Sequence, residues 1–433
     1  MIHTHTFKAL TAIALTTISA HAIAQDLDPA ADEQSHPIFL VGATAHTVSG
    51  GIITNSVISM NEGKIGVVGK ADEIMPRISL SADTQIIDLT GKHVFPGLID
   101  SVTRLGLEET SAVRATRDYN EVGPMTPEVR AYIAVNPDST VTPVARTNGV
   151  LTVGVFPSGG TIPGRASVMT TDGWTNEDLA LARDAGMIIS LSDNNTDDLN
   201  EIFDQAIAYN QSHTNSDLRM DAIGTVLPGP DQNPVFMRAS SFDQITKSIN
   251  WAMTYNLKPI IVGGRDAHLC TDILKSTNTP VIIGGTFGFP KRADAPYDDP
   301  YTLPAKLDAA GVQWSLTMAS RFGHERNLPD AAAIAVAHGT ELGFTKDAAL
   351  NGITLSAAKI LGVDSILGSL EPGKHATLIV ADGHILETTT VVEHAFVQGK
   401  KIDLGNKQTD LRDTYREKYR QLGLIEDPSQ PED

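Results

Sequence analysis

The sequence predicts an α/β protein built on a TIM (β/α)8 barrel and bracketed by two β-rich flanks. The chain has 433 residues, 41% of them hydrophobic, enough to bury one large core and one smaller one. Between Val94 and Gly362 brief apolar runs alternate with longer segments of helical period. Outside that span the texture changes to short alternating runs broken by turn residues. Strand and helix repetition over roughly 270 residues fits a parallel barrel or a doubly wound sheet, and a barrel of about 250 residues fits best.

Taken in order, residues 1–24 read as a secretory signal. Lys8 supplies the positive region, Ala9 to Ile18 the apolar stretch, and Ala22-Ile23-Ala24 a cleavage site before Gln25. Cleavage near Ala24-Gln25 gives a periplasmic or secreted product. From Ile38 to Gly69, IFLVGATAHTVSG, GIITNSVISM and KIGVVG, punctuated by Asn61-Glu62-Gly63, predict a meander of strands. Within 96–362, GVLTVGVF, GMIISLS, KPIIVGG, PVIIGGTF and VQWSLTM are the clearest barrel strands, and PVFMRASSFDQI is counted as the fifth. Pro329 to His338 and Lys346 to Leu361 read as closing helices. The β texture returns in LGSLEPGKHATLIVADG and TTTVVEHAFVQGKKI, with turns at Glu371-Pro372-Gly373 and Gln398-Gly399. Residues 37–95 and 363–405 are thus the flanks, and 406–433 a charged amphipathic helix from Thr409 to Leu422 followed by a tail.

The formal charge of −19, from 33 basic and 52 acidic residues, makes nucleic acid and anionic membrane surfaces poor partners. No run long enough to span a bilayer follows the signal, so membrane insertion is not expected. Cys270 is the single cysteine and can form no intramolecular disulfide.

The IFLVGAT start, the NEGKIGVVG hairpin, the GKHVFPGLID segment, the NGITLSAAKILGVD helix and the GSLEPGKHATLIV strand, in that order, resemble the metal-dependent amidohydrolase superfamily, in particular its imidazolonepropionase-like exported branch. The resemblance implies a small composite β-sandwich formed by the N- and C-terminal flanks, and an active site at the strand ends of the barrel. It also implies a hydrolase acting on carbon–nitrogen bonds other than peptide bonds. A divalent metal, usually zinc, would activate the attacking water there.

The residues that should hold that metal are replaced. Where the family's first strand ends GLIDxHxH, this chain reads GLIDSVTRLGL: Asp100 matches, while Ser101 and Thr103 occupy the ligand positions and Arg104 follows. Hydroxyls are poor zinc ligands, and a permanent cation repels a metal. At the fifth strand Arg238 stands where a His is expected; after the sixth the chain offers Gly264, Arg265 and Asp266; after the eighth Ala319 replaces the proton-accepting Asp, followed by Ser320 and Arg321. A relocated mixed site from Asp266, His268 and His324, beside Glu325, is the one rescue for zinc; otherwise no cofactor is expected.

Arg104, Arg238, Arg265 and Arg321 at the strand ends would present planar donor forks to a carboxylate or phosphate, unless each pairs with a neighbouring acid. The FPSGGTIPGRAS loop brings Gly159, Gly160 and Gly164 to the same face, where they serve either a ligand's close approach or a tight turn. The long segment FPKRADAPYDDPYTLP suits a lid or a partner surface. Ser101 and Ser158 lack a nucleophile elbow and an assignable base, and Cys270 reads as a buried structural thiol. Two readings follow. One is a hydrolase with an unorthodox site. The other is a degenerate barrel binding an anionic small molecule or peptide in the periplasm, alone or as a homo- or hetero-oligomer with a related amidohydrolase.

Overall fold

The computed structural model describes residues 30–212, 216–318 and 323–425; the signal segment, Ala319 to Arg321 and the end of the tail lie outside them. In the N-terminal flank, β1 (Ile38–His46), β2 (Ile52–Asn61) and β3 (Lys64–Lys70) form the expected antiparallel meander. Its tight hairpin pairs Asn61 with Lys64 and leaves Glu62 and Gly63 at φ 50° and 74°, the left-handed pair that a primed two-residue turn demands. The short strands β4 (Gln85–Asp88) and β5 (His93–Pro96) run parallel to β1.

Eight strands make the central sheet: β6 (Leu98–Thr103), β7 (Val150–Val155), β8 (Gly164–Thr170), β9 (Ala180–Ile189), β10 (Val235–Ala239), β11 (Pro259–Gly263), β12 (Val281–Ile283) and β13 (Trp314–Leu316), hydrogen-bonded in sequence order. The sheet departs from a regular (β/α)8 barrel in two ways. First, β8 is antiparallel to both β7 and β9. A parallel crossover needs about a dozen residues, and the eight residues between Val155 and Gly164 allow only a return hairpin, so no helix separates β7 from β8. Second, side chains stitch β6 to β13 and make the barrel nearly closed: Ser101 Oγ and Ser315 Oγ lie 2.8 Å apart, and Val102 N–H donates to Thr317 Oγ1 at 3.1 Å.

The barrel encloses an apolar cluster. Ile99, Phe156, Val168, Ile188, Phe236 and Ile282 meet there, and the helix Leu355–Ile360 closes the foot with Ala357, Ile360 and Leu361. The outer faces of the strands pack on the surrounding helices, with Met237, Ile261 and Leu316 against residues such as Phe203, Ile249 and Ala335. Burying such aliphatic and aromatic side chains contributes roughly 1.5–3 kcal/mol each.

The chain then returns to the first sheet as β14 (Leu378–Ala381), β15 (Val392–Val397) and β16 (Lys400–Ile402), with β14 lying antiparallel on β5. Both flanks therefore share one continuous eight-stranded sheet in place of two separate ones. It curls until Ile65 N–H of β3 donates to Lys374 O and Ala376 N–H donates to Gly63 O, wrapping Leu40, Ile58, Val94, Leu378 and Phe396 into a core. Asn406, with a capping box to Thr409, starts the last helix, Lys407–Gln421.

Candidate functional site

The C-terminal ends of β6, β7, β10 and β11 surround a cavity of about 330 Å³ lined by Arg104, Phe156, Arg238, Gln244 and Val262, with Val102 and Thr103 beside them. This is the mouth where a barrel of this kind carries its chemistry. Alternation along β10 explains Arg238: Phe236 points into the core, Met237 points outward, and Arg238 points inward again one level higher. Its Nη2 donates to Pro157 O at 2.8 Å, and among the described residues no carboxylate pairs with it. Burial, and then repulsion from Arg104, lower its pKa to about 10. Arg104 lies over the Tyr119 ring at 4.2 Å and reaches the buried Glu108 only at 3.4 Å, leaving much of its donor fork uncommitted.

Asp100 sits below this mouth, fully buried. Its carboxyl accepts from Met318 N–H at 3.2 Å and lies 2.5 Å from Thr317 Oγ1, which is also 2.5 Å from Val102 O. One hydroxyl has a single hydrogen, and here it faces two acceptors while also receiving Val102 N–H. The competition between these two acceptors is relieved if Asp100 is the protonated partner, donating to Thr317 while Thr317 donates to Val102 O. Burial, followed by the charge of Glu325, pushes Asp100 in that direction, to about 8. Glu325 is itself pushed up to about 7, first by burial and, among charges, by Glu108; its Oε2 has no hydrogen-bond partner among the described residues.

These residues do not fit a metal. Ser101 is committed to Ser315, Thr103 Oγ1 accepts Leu105 N–H at 3.2 Å, burial pushes Asp100 toward its neutral form, and two guanidiniums face the cavity. The alternative trio is not assembled either. Burial works to raise Asp266, but bonds from Arg265 and Phe242 N–H and the charge of Arg292 carry it below the usual carboxylate range. His268 faces Asp299 at 3.6 Å, with its pKa lowered by burial, while His324 Nδ1 bonds Asn327 at 3.2 Å. Among the described residues no group of three or more His, Cys, Asp or Glu is placed to hold a metal ion.

Of the four candidate arginines, the structure thus brings Arg104 and Arg238 together. Arg265 is paired with Asp266 at 3.2 Å and stands outside the cavity lining, and Arg321 lies outside the described residues. Gly159 and Gly160 do not line the cavity; the loop contributes Phe156 and the Pro157 carbonyl instead. Gly160, at φ 68°, is required because a Cβ there would meet Pro124 O at 2.5 Å. Sequence reasoning passed over Gln244, although Ser241-Phe242-Asp243-Gln244 is a readable capping box; its Oε1 accepts Ser240 and Ser241 N–H, and the same side chain lines the mouth. Cys270 is buried, with burial raising its thiol to about 11, as a structural cysteine requires. The long loop before the helix Asp299–Ala309 supplies Phe287 and Phe289 to a second cavity, shared with Tyr301, Met318 and His338.

Comparison with known proteins bears on the fold. A model described as the amidohydrolase family matches residues 305–402, which span β13, the closing helices and β14 to β16. An amidohydrolase from Thermotoga maritima MSB8 superposes with a TM-score of 0.75 at 24% identity, covering 84% of this chain and 99% of its own. A putative prolidase from Bifidobacterium longum gives 0.51 at 19%, covering 89% and 99%. An adenosine deaminase from Xanthomonas campestris with bound zinc gives 0.53 at 13%, covering 92% and 100%. No curated protein matches significantly. The match to the amidohydrolase family model is confined to residues 305–402, and the chain as a whole has an α/β fold with a nearly closed eight-strand barrel sheet.

Proposed function

We propose that this protein binds a small anionic molecule or an acidic peptide end at its barrel mouth, using Arg104 and Arg238 where the amidohydrolase fold otherwise places metal chemistry. The observation that carries this reading is the pair of guanidiniums lining one cavity, the deeper of them without a carboxylate partner among the described residues. Val102, Phe156 and Val262 supply apolar walls, which lower the local dielectric and strengthen a charge-assisted bond to a carboxylate or phosphate. An incoming anion also relieves the repulsion between the two cations. No metal is assigned to the mouth.

Two measurements on the mature chain test this. Titration calorimetry with succinate and with inorganic phosphate is expected to show binding that is lost in Arg238→Met. Zinc incubation, desalting and plasma mass spectrometry are expected to leave no stoichiometric metal. Stoichiometric zinc, or anion binding indifferent to both arginines, would sink the proposal.

A second reading is hydrolysis of a carbon–nitrogen bond in a carboxylate-bearing substrate at the same mouth, favoured by the family domain over residues 305–402. Turnover of N-acyl amino acids or lactams by metal-free protein, abolished by Arg238→Met, would select it over simple binding. We further propose that the chain is exported and cleaved near Ala24-Gln25. No helix among the described residues is long and apolar enough to cross a membrane. N-terminal sequencing of the secreted or periplasmic product checks the cleavage.

A further inference from the structure

We infer that Gln244 is a specificity-determining residue of the barrel mouth, and that the ligand it selects is an elongated monoanion with an uncharged acceptor oxygen a few bonds from its charge. The inference rests on the reading that Arg104 and Arg238 hold an anion in the mouth, and it describes the rest of that ligand.

Gln244 stands in the first turn of the helix Phe242–Thr254, three residues after the cap Ser241. Ser241 Oγ accepts Gln244 N–H at 3.3 Å, and the Gln244 side chain returns to accept Ser240 N–H at 3.0 Å and Ser241 N–H at 3.2 Å. The atom that receives two N–H groups must be the amide oxygen, so the network fixes which way round the amide stands. Nε2 then keeps two hydrogens with no acceptor among the described residues. The side chain is exposed, and its donor direction is set before any ligand arrives, which lowers the ordering cost of binding.

The same side chain stands between two cavities. It lines the mouth beside Arg104 and Arg238, and it also lines a second cavity of about 570 Å³ together with Leu191, Asp193, Asp243, Lys247 and Trp251. A ligand longer than the mouth can therefore continue past the amide. The two spaces differ in charge. Two guanidiniums favour an anion in the mouth, whereas around the second cavity Lys247 pairs with Asp193 at 2.7 Å and Asp243 adds a negative charge. A second anionic group is disfavoured there, and the mixture of Ser192 and Asn250 with Leu191 and Trp251 suits an uncharged polar chain. Between the two, the complement of an NH2 group is a carbonyl, ether or hydroxyl oxygen.

The test is titration calorimetry on the mature chain with 4-oxopentanoate and pentanoate, two monoanions of one length that differ by a ketone oxygen. The parent is expected to bind 4-oxopentanoate at least about threefold more tightly, the effect of one neutral hydrogen bond. In Gln244→Met, which removes the donor without adding charge, the ratio is expected to fall to about one; a ratio read on one preparation is indifferent to the loss of the cap bonds. Gln244→Glu can still accept both backbone N–H groups, so it is expected to keep the melting temperature while losing 4-oxopentanoate at least about tenfold. N-(2-hydroxyethyl)succinamate carries its carbonyl at the same position and a polar extension beyond it. It is expected to bind at least about threefold more tightly than 4-oxopentanoate, an advantage cancelled by Asn250→Trp, which fills the second cavity.

A parent that binds the two monoanions equally, or a Gln244→Met variant that keeps the preference, overturns the inference and leaves the anion site standing. A parent that binds neither of them nor inorganic phosphate overturns both. A longer ligand without advantage, or one indifferent to Asn250→Trp, overturns the part assigned to the second cavity.

Discussion

Thr317 Oγ1 lies 2.5 Å from the carboxyl of Asp100 across the seam where the first and last barrel strands meet, and also 2.5 Å from Val102 O, a competition that a protonated Asp100 would relieve. Asp100 is pushed to about 8, so the folded chain holds a proton that the unfolded chain gives up near 4. The stability from that proton is fully present below the unfolded value and is lost as pH rises through the folded one. Melting temperature should therefore decline between about pH 4 and pH 8. Asp100→Asn, whose amide donates to Thr317 and whose oxygen accepts Met318 N–H, should flatten that decline; a variant with the same pH slope as the parent would show that Asp100 is ionised in the fold.

Arg238→Met should abolish anion binding while leaving the melting temperature unchanged or higher. The guanidinium is desolvated, repelled by Arg104 and bonded to one carbonyl, Pro157 O, so its removal relieves more than it breaks. Arg238→Lys should not restore affinity, because a point charge lacks the planar fork. Calorimetry and differential scanning fluorimetry on the same preparations separate the two effects.

The flank sheet carries a pH response of opposite sign. His46 Nε2 and His93 Nδ1 are 2.9 Å apart, and His46 stacks on Phe95 with ring centroids 4.3 Å apart. Burial, then the neighbouring His384 and His93, lower His46 to about 4. Its contribution is present above the unfolded value of about 6.5 and is lost as pH falls through about 4. His46→Phe should remove part of the acid-side loss of melting temperature; no change below pH 6 would mean that another group governs it.

Gly160→Ala should destabilise the fold by about 1–3 kcal/mol, since φ 68° and the Pro124 carbonyl 2.5 Å from the added Cβ both oppose it. Gly159→Ala meets only Asn120 Cβ at 3.2 Å and should cost less, despite a similar φ of 96°. Chemical denaturation of the two variants side by side checks the order; equal costs would mean that backbone strain alone, without the Pro124 contact, sets the penalty.

The apolar strands of the barrel were readable because both of their faces are buried, as in VLTVGV, VFMRA and PIIVG. β8 was not. Its residues, GRASVMT, begin with the glycine and arginine of a turn-like loop, and only their pairing with β7 and β9 makes them a strand. Ser101 and Thr103, at the positions where the resemblance implies an H-x-H pair, are visible in sequence, and so is the arginine at 238. That Arg104 and Arg238 share a cavity while Arg265 turns to Asp266 depends on how three different strand ends converge. The upward push on the Asp100 pKa comes from burial and then from Glu325, far along the chain, and no local pattern reveals either.

The reversed strand β8 also bears on how the chain finds its shape. Most parallel neighbours in the barrel meet only after a loop or helix of a dozen or more residues has been placed, which makes their pairing slow. The three strands β7, β8 and β9 are joined by eight residues on one side and nine on the other, and they pair antiparallel. Ordering them closes only short loops, so this meander is where the barrel wall can begin before the rest is in register. Phe156 and Pro157, which wall the mouth and hold Arg238, sit in its first turn; the binding cavity would thus inherit its geometry from the earliest part of the wall to assemble.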